Sequence, residues 1–127
     1  MGYCITQGET KFHIKKENHD AALTAIKGVV GDRSTEFYGD KEILAAKTLK
    51  EALEVDTWDV TIDDTSGDLT SLYNTCEKLI DQETYLTILA PFVTHGSFLE
   101  FTGEDGTCWR WVFKDGKMTE IAPTWNM

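Results

Sequence analysis

The sequence contains few residues that interrupt, cross-link or anchor a chain. Its 127 residues include two prolines and three cysteines, and no apolar run approaches the ~18 residues that suggest a membrane span. Cys4, Cys76 and Cys108 are odd in number and widely spaced, which fits free thiols better than a disulfide framework. No basic segment followed by an apolar run opens the chain, so we see no secretory signal and expect a cytoplasmic protein.

Basic residues are also scarce. Twelve lysines and arginines face 22 acidic residues, which gives a net charge of −10. Nucleic acids and anionic membranes attract basic surfaces, so we expect neither as a direct partner. The charge suits plain solubility or a basic protein partner. Hydrophobic residues make up 41% of the chain, and this composition and length predict one folded domain over residues 1–127.

The signatures of known chemistry are missing as well. The sequence has no nucleophile elbow, phosphate loop or dinucleotide fingerprint. His13, His19 and His95 lack the spacing of a zinc site, and His13 is expected on a solvated strand face. The stretch "DDTSGD" at 63–68 lacks the glutamate of a calcium loop and is explained by turn chemistry. We therefore predict a non-enzymatic protein with no cofactor and no metal; an enzyme would need a cleft in which several acids, or Cys76 and His95, converge.

The N-terminal segment "YCITQGETKFHIKK" predicts a β-hairpin with a two-residue loop at Gly8-Glu9. This loop would set Ile5 opposite Phe12 and Tyr3 opposite Ile14, with all four on one face. The hairpin would be the first strand unit of the sheet.

A helix should follow, with Asn18 as its N-cap and Gly28 or Gly31 at its end. Its apolar residues recur at helical spacing: Leu23, Ile26 and Val30. Thr48 and Glu51 form the pattern of a capping box, which predicts the start of a second, short helix. A third helix is expected over about 82–94, shortened or kinked near its end by Pro91.

Two further strand units are predicted. Trp58, Val60 and Ile62 alternate with polar residues and indicate one half-buried strand of a hairpin over 58–73. The last third of the chain predicts a three-stranded meander with strands at 97–102, 107–113 and 118–122. Together these elements predict an α+β fold: a mostly antiparallel sheet of about seven short strands in three hairpin or meander units, with about three helices on one face.

The register of the meander depends on its two Asp-Gly turns. Three-residue loops at 104–106 and 114–116 would turn Trp109 and Trp111 into the core. They would also form a charge ladder on the other face: Glu100, Arg110 and Glu120. A two-residue loop at either turn would instead put Glu100 or Glu120 beside Trp111. We therefore predict two three-residue loops and core tryptophans rather than a ring-lined binding surface.

The stretches "AAKTLKEALEVDTWDV" and "LAPFVTHGSFLEFTGEDGTCWRWVF" resemble a family of small proteins from phages, prophages and their bacterial hosts. The most specific part is G-E-D-G-x-x-W-R-W-x-F, found here at 103–113. No activity, cofactor or catalytic residue comes with that family. The resemblance implies an accessory protein of a mobile element or its host.

Two hypotheses on function follow. The first is a protein-binding accessory protein with a basic partner, one version being an inhibitor of a host defence nuclease. Its interaction surface would comprise Glu100, Glu104, Asp105, Arg110 and Glu120. The second is a small-ligand or nucleotide-binding module with a pocket between sheet and helices. That pocket would involve Tyr38, Trp58 and Tyr73.

Overall fold

The structure, a computed structural model, describes residues 3–32, 40–55, 58–75, 78–79 and 82–122. Within these residues the chain has an α+β fold, as predicted, and all of its strand pairs are antiparallel. The elements, in chain order, are β1 (Tyr3–Lys11), α1 (His19–Asp32), α2 (Asp40–Ala45), α3 (Leu49–Val55), β2 (Trp58–Ile62), β3 (Leu69–Asn74), β4 (Lys78–Leu79), α4 (Gln82–Leu89), β5 (Phe98–Gly103), β6 (Cys108–Lys114) and β7 (Lys117–Ile121).

The described strands form two sheets, which corrects the expectation of one. Five strands follow the order β4-β1-β5-β6-β7, and β2 pairs with β3 alone. β5 pairs along β1, and β4 pairs with the start of β1. Among the described residues, one backbone bridge connects Leu69 of β3 with Ile14, in the segment after β1, and the side chain of Gln7 connects β3 with β1 itself.

The predicted N-terminal hairpin is wrong, because residues 3–11 form one continuous strand. Gln7 pairs with Phe101 and Thr10 pairs with Leu99. Between these two pairs β1 has two residues, Gly8 and Glu9, where β5 has one, so β1 contains a bulge. A bulge of this kind reverses the alternation of inward and outward side chains. The bulge therefore allows both Ile5 and Phe12 to be buried. The predicted hairpin turn rests on the same apolar pattern.

Helix α1 buries Leu23, Ile26 and Val30, as predicted. It continues past Gly28 and Gly31 to Asp32, so neither glycine ends it. A Cβ atom added to either glycine would meet no other atom within 4 Å. Both glycines are therefore exposed helix positions that need no special backbone conformation.

Replacing Gly28 by alanine should raise the free energy of unfolding by about 1 kcal/mol, because alanine loses less backbone entropy in a helix. Urea denaturation monitored by circular dichroism measures this. Gly67→Ala is the contrasting variant: Gly67 has φ +77°, and its Cβ would lie 2.7 Å from Lys16 Cδ. Gly67→Ala should lower the free energy of unfolding. A lower free energy of unfolding in Gly28→Ala would contradict the exposed helical position of Gly28.

The predicted capping box is confirmed. The Glu51 N–H donates to Thr48 Oγ1 at 3.1 Å, and the Glu51 carboxylate accepts the N–H groups of Lys47 and Thr48. Helix α4 ends at Leu89, and Pro91 lies in the 3₁₀ turn that follows, which confirms the predicted shortening.

The first turn of the meander has the predicted register. Phe101 pairs with Trp109 and Leu99 with Trp111, and Gly106 has φ +87°. Trp109 and Trp111 are buried, as predicted.

The second turn does not have the predicted register. Lys114 pairs with Lys117, so the loop has two residues, Asp115 and Gly116, with φ of 51° and 78°. These angles are those of a type I′ turn, which Asp-Gly favours. Glu120 therefore lies opposite Trp111 and not beside Arg110, and the predicted charge ladder is wrong at Glu120.

Candidate functional site

Two of the predicted interaction residues lie together over the β1 bulge. Arg110 Nε donates to Glu100 Oε1 at 3.0 Å, and the Arg110 guanidinium lies 3.8 Å from Glu9 Oε2. The guanidinium carbon is 4.5 Å from the centroid of the Phe98 ring. A Cβ at Gly8 would lie 2.5 Å from Glu100 Oε2. This cluster holds three neighbouring strands together on the outer face of the sheet.

The other three predicted interaction residues hold different parts of the chain. Glu104 Oε1 accepts the N–H of Cys4 at 2.7 Å. Asp105 Oδ1 accepts a backbone N–H within its own turn. Glu120 Oε1 accepts the indole N–H of Trp111 at 3.0 Å, from the inner side of β7. The structure thus distributes the predicted surface over three places, and each of these side chains has a contact within the chain.

Two of the three predicted pocket residues, Trp58 and Tyr73, do not meet. Trp58 is 2% exposed and pairs with Asn74, whereas Tyr73 is 52% exposed and pairs with Asp59. Neighbouring residues on a strand point to opposite faces, so Trp58 and Tyr73 lie on opposite sides of the hairpin. Tyr38 lies outside the described residues.

A polar network that the sequence did not reveal joins three distant segments. His13 is partly buried rather than solvated; its Nε2 lies 2.9 Å from Asp68 Oδ2 and its Nδ1 lies 2.5 Å from Thr94 Oγ1. Asp68 Oδ1 accepts the N–H of Lys16 at 2.8 Å. The N–H of Lys16, followed by the ring of His13, lowers the pKa of Asp68 below its usual value. No local pattern links positions so far apart in sequence.

Asp68→Asn should lower stability at neutral pH, and the difference from wild type should shrink in acid. Because folding lowers the pKa of Asp68, its contribution is present above the unfolded pKa of about 3.9 and is lost as pH falls through the folded value. Urea midpoints between pH 2 and 7 test this. A difference independent of pH would show that the charge of Asp68 contributes nothing.

The predicted turn chemistry of "DDTSGD" matches the hydrogen bonds: Asp63 Oδ2 accepts the N–H groups of Thr65 and Ser66. In the described part of the chain, no group of three histidine, cysteine or acidic residues could hold a metal ion. No helix among the described residues is long and apolar enough to cross a membrane. Cys76 lies outside the described residues, so the pair of Cys76 and His95 stays untested.

A shallow groove of about 490 Å³, widely open to solvent, lies between α2 and α3. Its lining combines small apolar and acidic side chains: Glu42, Ala45, Ala46, Glu51, Glu54 and Val55. The amine of Lys50, as a hydrogen-bond donor, and the N–H of Val60 lower the pKa of Glu54, which keeps it ionised. Helical spacing is the signal for this face, since Glu51, Glu54 and Val55 are three and four residues apart. We call this feature the α2–α3 groove.

A second cleft, of about 360 Å³, lies where the starts of α1 and α3 meet the β2–β3 turn. Its lining residues are Lys16, His19, Asp20, Thr48, Leu49, Lys50, Ile62 and Gly67. We call it the Lys16 cleft. It shares no lining residue with the α2–α3 groove.

No known protein family, curated protein sequence or solved structure matches this chain. The resemblance to phage and prophage proteins therefore stays a prediction, and the function has to be argued from the geometry of these sites.

Proposed function

We propose that the protein is a non-enzymatic binding protein whose α2–α3 groove receives a basic, amphipathic segment of another protein. The observation that carries this proposal is the combination of apolar and acidic side chains in the lining of one groove. Ala45, Ala46 and Val55 are its apolar residues, and three glutamates line it as well. A segment with apolar residues on one face and lysine or arginine beside them matches both features.

The apolar part of the groove supplies contact area. Small side chains such as Ala45 and Ala46 leave room for a larger apolar side chain of the partner. Leu44, on the same helix, is a further exposed apolar side chain, with 46% of its surface accessible. Burial of such side chains is the usual source of affinity when a helix binds in a groove.

The acidic residues of the groove orient a basic partner and raise the rate at which it associates. Glu51 is held by the capping box, and Glu54 Oε2 accepts hydrogen bonds from Lys50 Nζ and the N–H of Val60. The carboxylate of Glu51 is therefore oriented before a partner arrives, which reduces the entropy lost on binding. The net charge of −10 also attracts a basic partner from a distance.

The narrower version of the proposal is an accessory protein of a phage or mobile element that inhibits a host defence protein. A protein that binds nucleic acid carries a basic surface, and an acidic groove can bind part of that surface in place of phosphate. The resemblance of two stretches of the sequence to phage-associated proteins, most specific at residues 103–113, supports this context.

Glu42→Lys is the sharpest test of the groove, because Glu51 and Glu54 also stabilise the fold. A partner captured from bacterial lysate is purified and titrated against wild type, Glu42→Lys and Glu83→Lys. Glu83 is an exposed acid in the first turn of α4, so its variant makes the same charge change elsewhere. We expect Glu42→Lys to weaken binding at least tenfold and Glu83→Lys to change it little.

The salt dependence of the same complex tests the electrostatic part. Affinity for the basic partner should fall as ionic strength rises, because exposed charge pairs are screened. Equal binding of the partner by both lysine variants would overturn the α2–α3 groove as the binding site. Affinity that does not change with salt would overturn the role of charge.

A further inference from the structure

We infer that the Lys16 cleft is a binding site for a small organic phosphate, with its phosphate between the basic side chains and its apolar body on Leu49 and Ile62. Leu49 is buried and Ile62 is half-buried, so the cleft has an apolar floor next to its basic rim. Its volume, about 360 Å³, lies in the range of roughly 300–1,000 Å³ that is typical of small-ligand sites.

Basic side chains outnumber acidic ones in the lining of the cleft. Two lysines, Lys16 and Lys50, line it, with Asp20 as the one acid among the described lining residues; the Nε2 of His19, which also lines it, lies 3.0 Å from the carbonyl oxygen of Ile14. The chain as a whole carries 22 acids and 12 bases, so this excess of basic groups runs against its composition. Two ammonium groups that act as point charges suit a phosphate group, whose oxygens accept hydrogen bonds from several directions.

Three carboxylates near the cleft accept backbone N–H groups. Asp68 accepts the N–H of Lys16 and contacts His13, Asp63 accepts two N–H groups of its turn, and Glu51 accepts the N–H groups of the capping box. These acids stabilise turns and helix ends. Within the described residues the Lys16 ammonium forms no ion pair.

Lys16 is also held in place by its stem. Its Cδ lies 2.7 Å from the position that a Cβ would take on Gly67, so the methylene chain packs directly on the glycine. Its backbone N–H is fixed by Asp68. Lys50 pairs with Glu54 across one helical turn, where both side chains are more than a third exposed. Such an exposed pair competes only weakly with a phosphate group.

Isothermal titration calorimetry with adenosine 5′-monophosphate, adenosine and inorganic phosphate tests the inference. We expect the monophosphate to bind more tightly than either of its two parts. Lys16→Met keeps the apolar stem over Gly67 and removes the charge, and it should weaken monophosphate binding at least tenfold. Lys117→Met, on the exposed edge strand β7, is the matched control and should leave binding unchanged.

Two results would overturn the site. One is the absence of binding by the monophosphate and by phosphate at millimolar concentration. The other is equal loss of binding in Lys16→Met and Lys117→Met. Amide chemical shifts locate the ligand independently: changes at Lys50 and Gly67 support the Lys16 cleft, and changes confined to other residues count against it. Lys50→Met provides a second variant if Lys16→Met melts below the wild type.

Discussion

Replacing Trp111 by alanine should lower the free energy of unfolding by about 3–5 kcal/mol, the largest loss expected from a single aromatic truncation in this chain. The side chain is 1% exposed. Its ring centroid lies 5.1 Å from that of Phe101 and 6.0 Å from that of Trp109. Removing the ring would leave a cavity on the buried face of β6, because its neighbours on β5 and β6 are fixed by backbone pairing.

Trp111 also fixes the edge strand. Its indole N–H donates to Glu120 Oε1, so the same side chain fills the core and binds β7. Trp111→Phe keeps a buried ring and removes this hydrogen bond, and it should cost less than Trp111→Ala. Urea denaturation followed by circular dichroism measures all variants.

Tyr73→Ala is the control, because Tyr73 is 52% exposed and its truncation should change stability by no more than about 0.5 kcal/mol. If Trp111→Ala and Tyr73→Ala had similar small effects, Trp111 would not be a core residue. A binding platform would then be the better explanation of the W-R-W segment.

The dipeptide Asp-Gly, which occurs in both turns of the meander, shows how far the sequence determines this fold. Both meander turns contain Asp-Gly, yet 104–106 is a three-residue loop and 115–116 a two-residue loop. Alternation along β5 and β6 specified the first register, because half of their residues are buried. Nearly every residue of β7 is exposed, so its pattern carries little register information and the type I′ preference decides. In this register Glu120 lies on the same face as Trp111, and its carboxylate is accommodated there because it accepts the indole N–H.

The error at β1 has a different physical origin. A glycine between two apolar alternating segments is compatible with a tight turn and with a bulge. The choice depends on whether another strand pairs across the glycine, and that strand is β5, which begins at Phe98. A local pattern contains no information on a partner so far away. The capping box at Thr48, in contrast, is complete within four residues, and the sequence predicted it correctly.

The candidate sites were the least predictable part for the same reason. Charged residues on strands looked available for a partner, but Glu100 and Arg110 contact each other across neighbouring strands. The α2–α3 groove and the Lys16 cleft arise only when helices pack beside each other and beside the β2–β3 turn. The spacing of residues within one helix indicates which of them share a face. It does not indicate which other helix or turn packs beside that face.

Replacing Gln7 by leucine should lower the free energy of unfolding by about 2–4 kcal/mol, because two buried backbone groups would each lose a partner worth about 1–3 kcal/mol. Gln7 Nε2 donates to the carbonyl of Leu72 at 2.9 Å, and Gln7 Oε1 accepts the N–H of Asn74 at 2.6 Å. The amide side chain of Gln7 thus forms hydrogen bonds with two backbone groups at the edge of β3, as a neighbouring strand would. Leucine fills a similar volume and offers neither a donor nor an acceptor.

Gln7→Glu separates the two hydrogen bonds through its pH dependence. An ionised carboxylate still accepts the N–H of Asn74 but cannot donate to Leu72, whereas the protonated acid can do both. Folding should therefore raise the pKa of the introduced carboxyl above about 4.3. Relative to the wild type, the variant should be most stable below that pH and should lose stability as pH rises through the folded value.

Urea denaturation between pH 3 and 8 tests both variants against Thr6→Ala, since Thr6 is exposed on the neighbouring position of β1. We expect Thr6→Ala to stay within about 0.5 kcal/mol of the wild type. If Gln7→Leu were as mild as Thr6→Ala, the amide would not be needed to join the two sheets. The bridge between Ile14 and Leu69 and the contacts of Asp68 with His13 and Lys16 would then suffice. A pH-independent Gln7→Glu would show that the Leu72 carbonyl finds another donor.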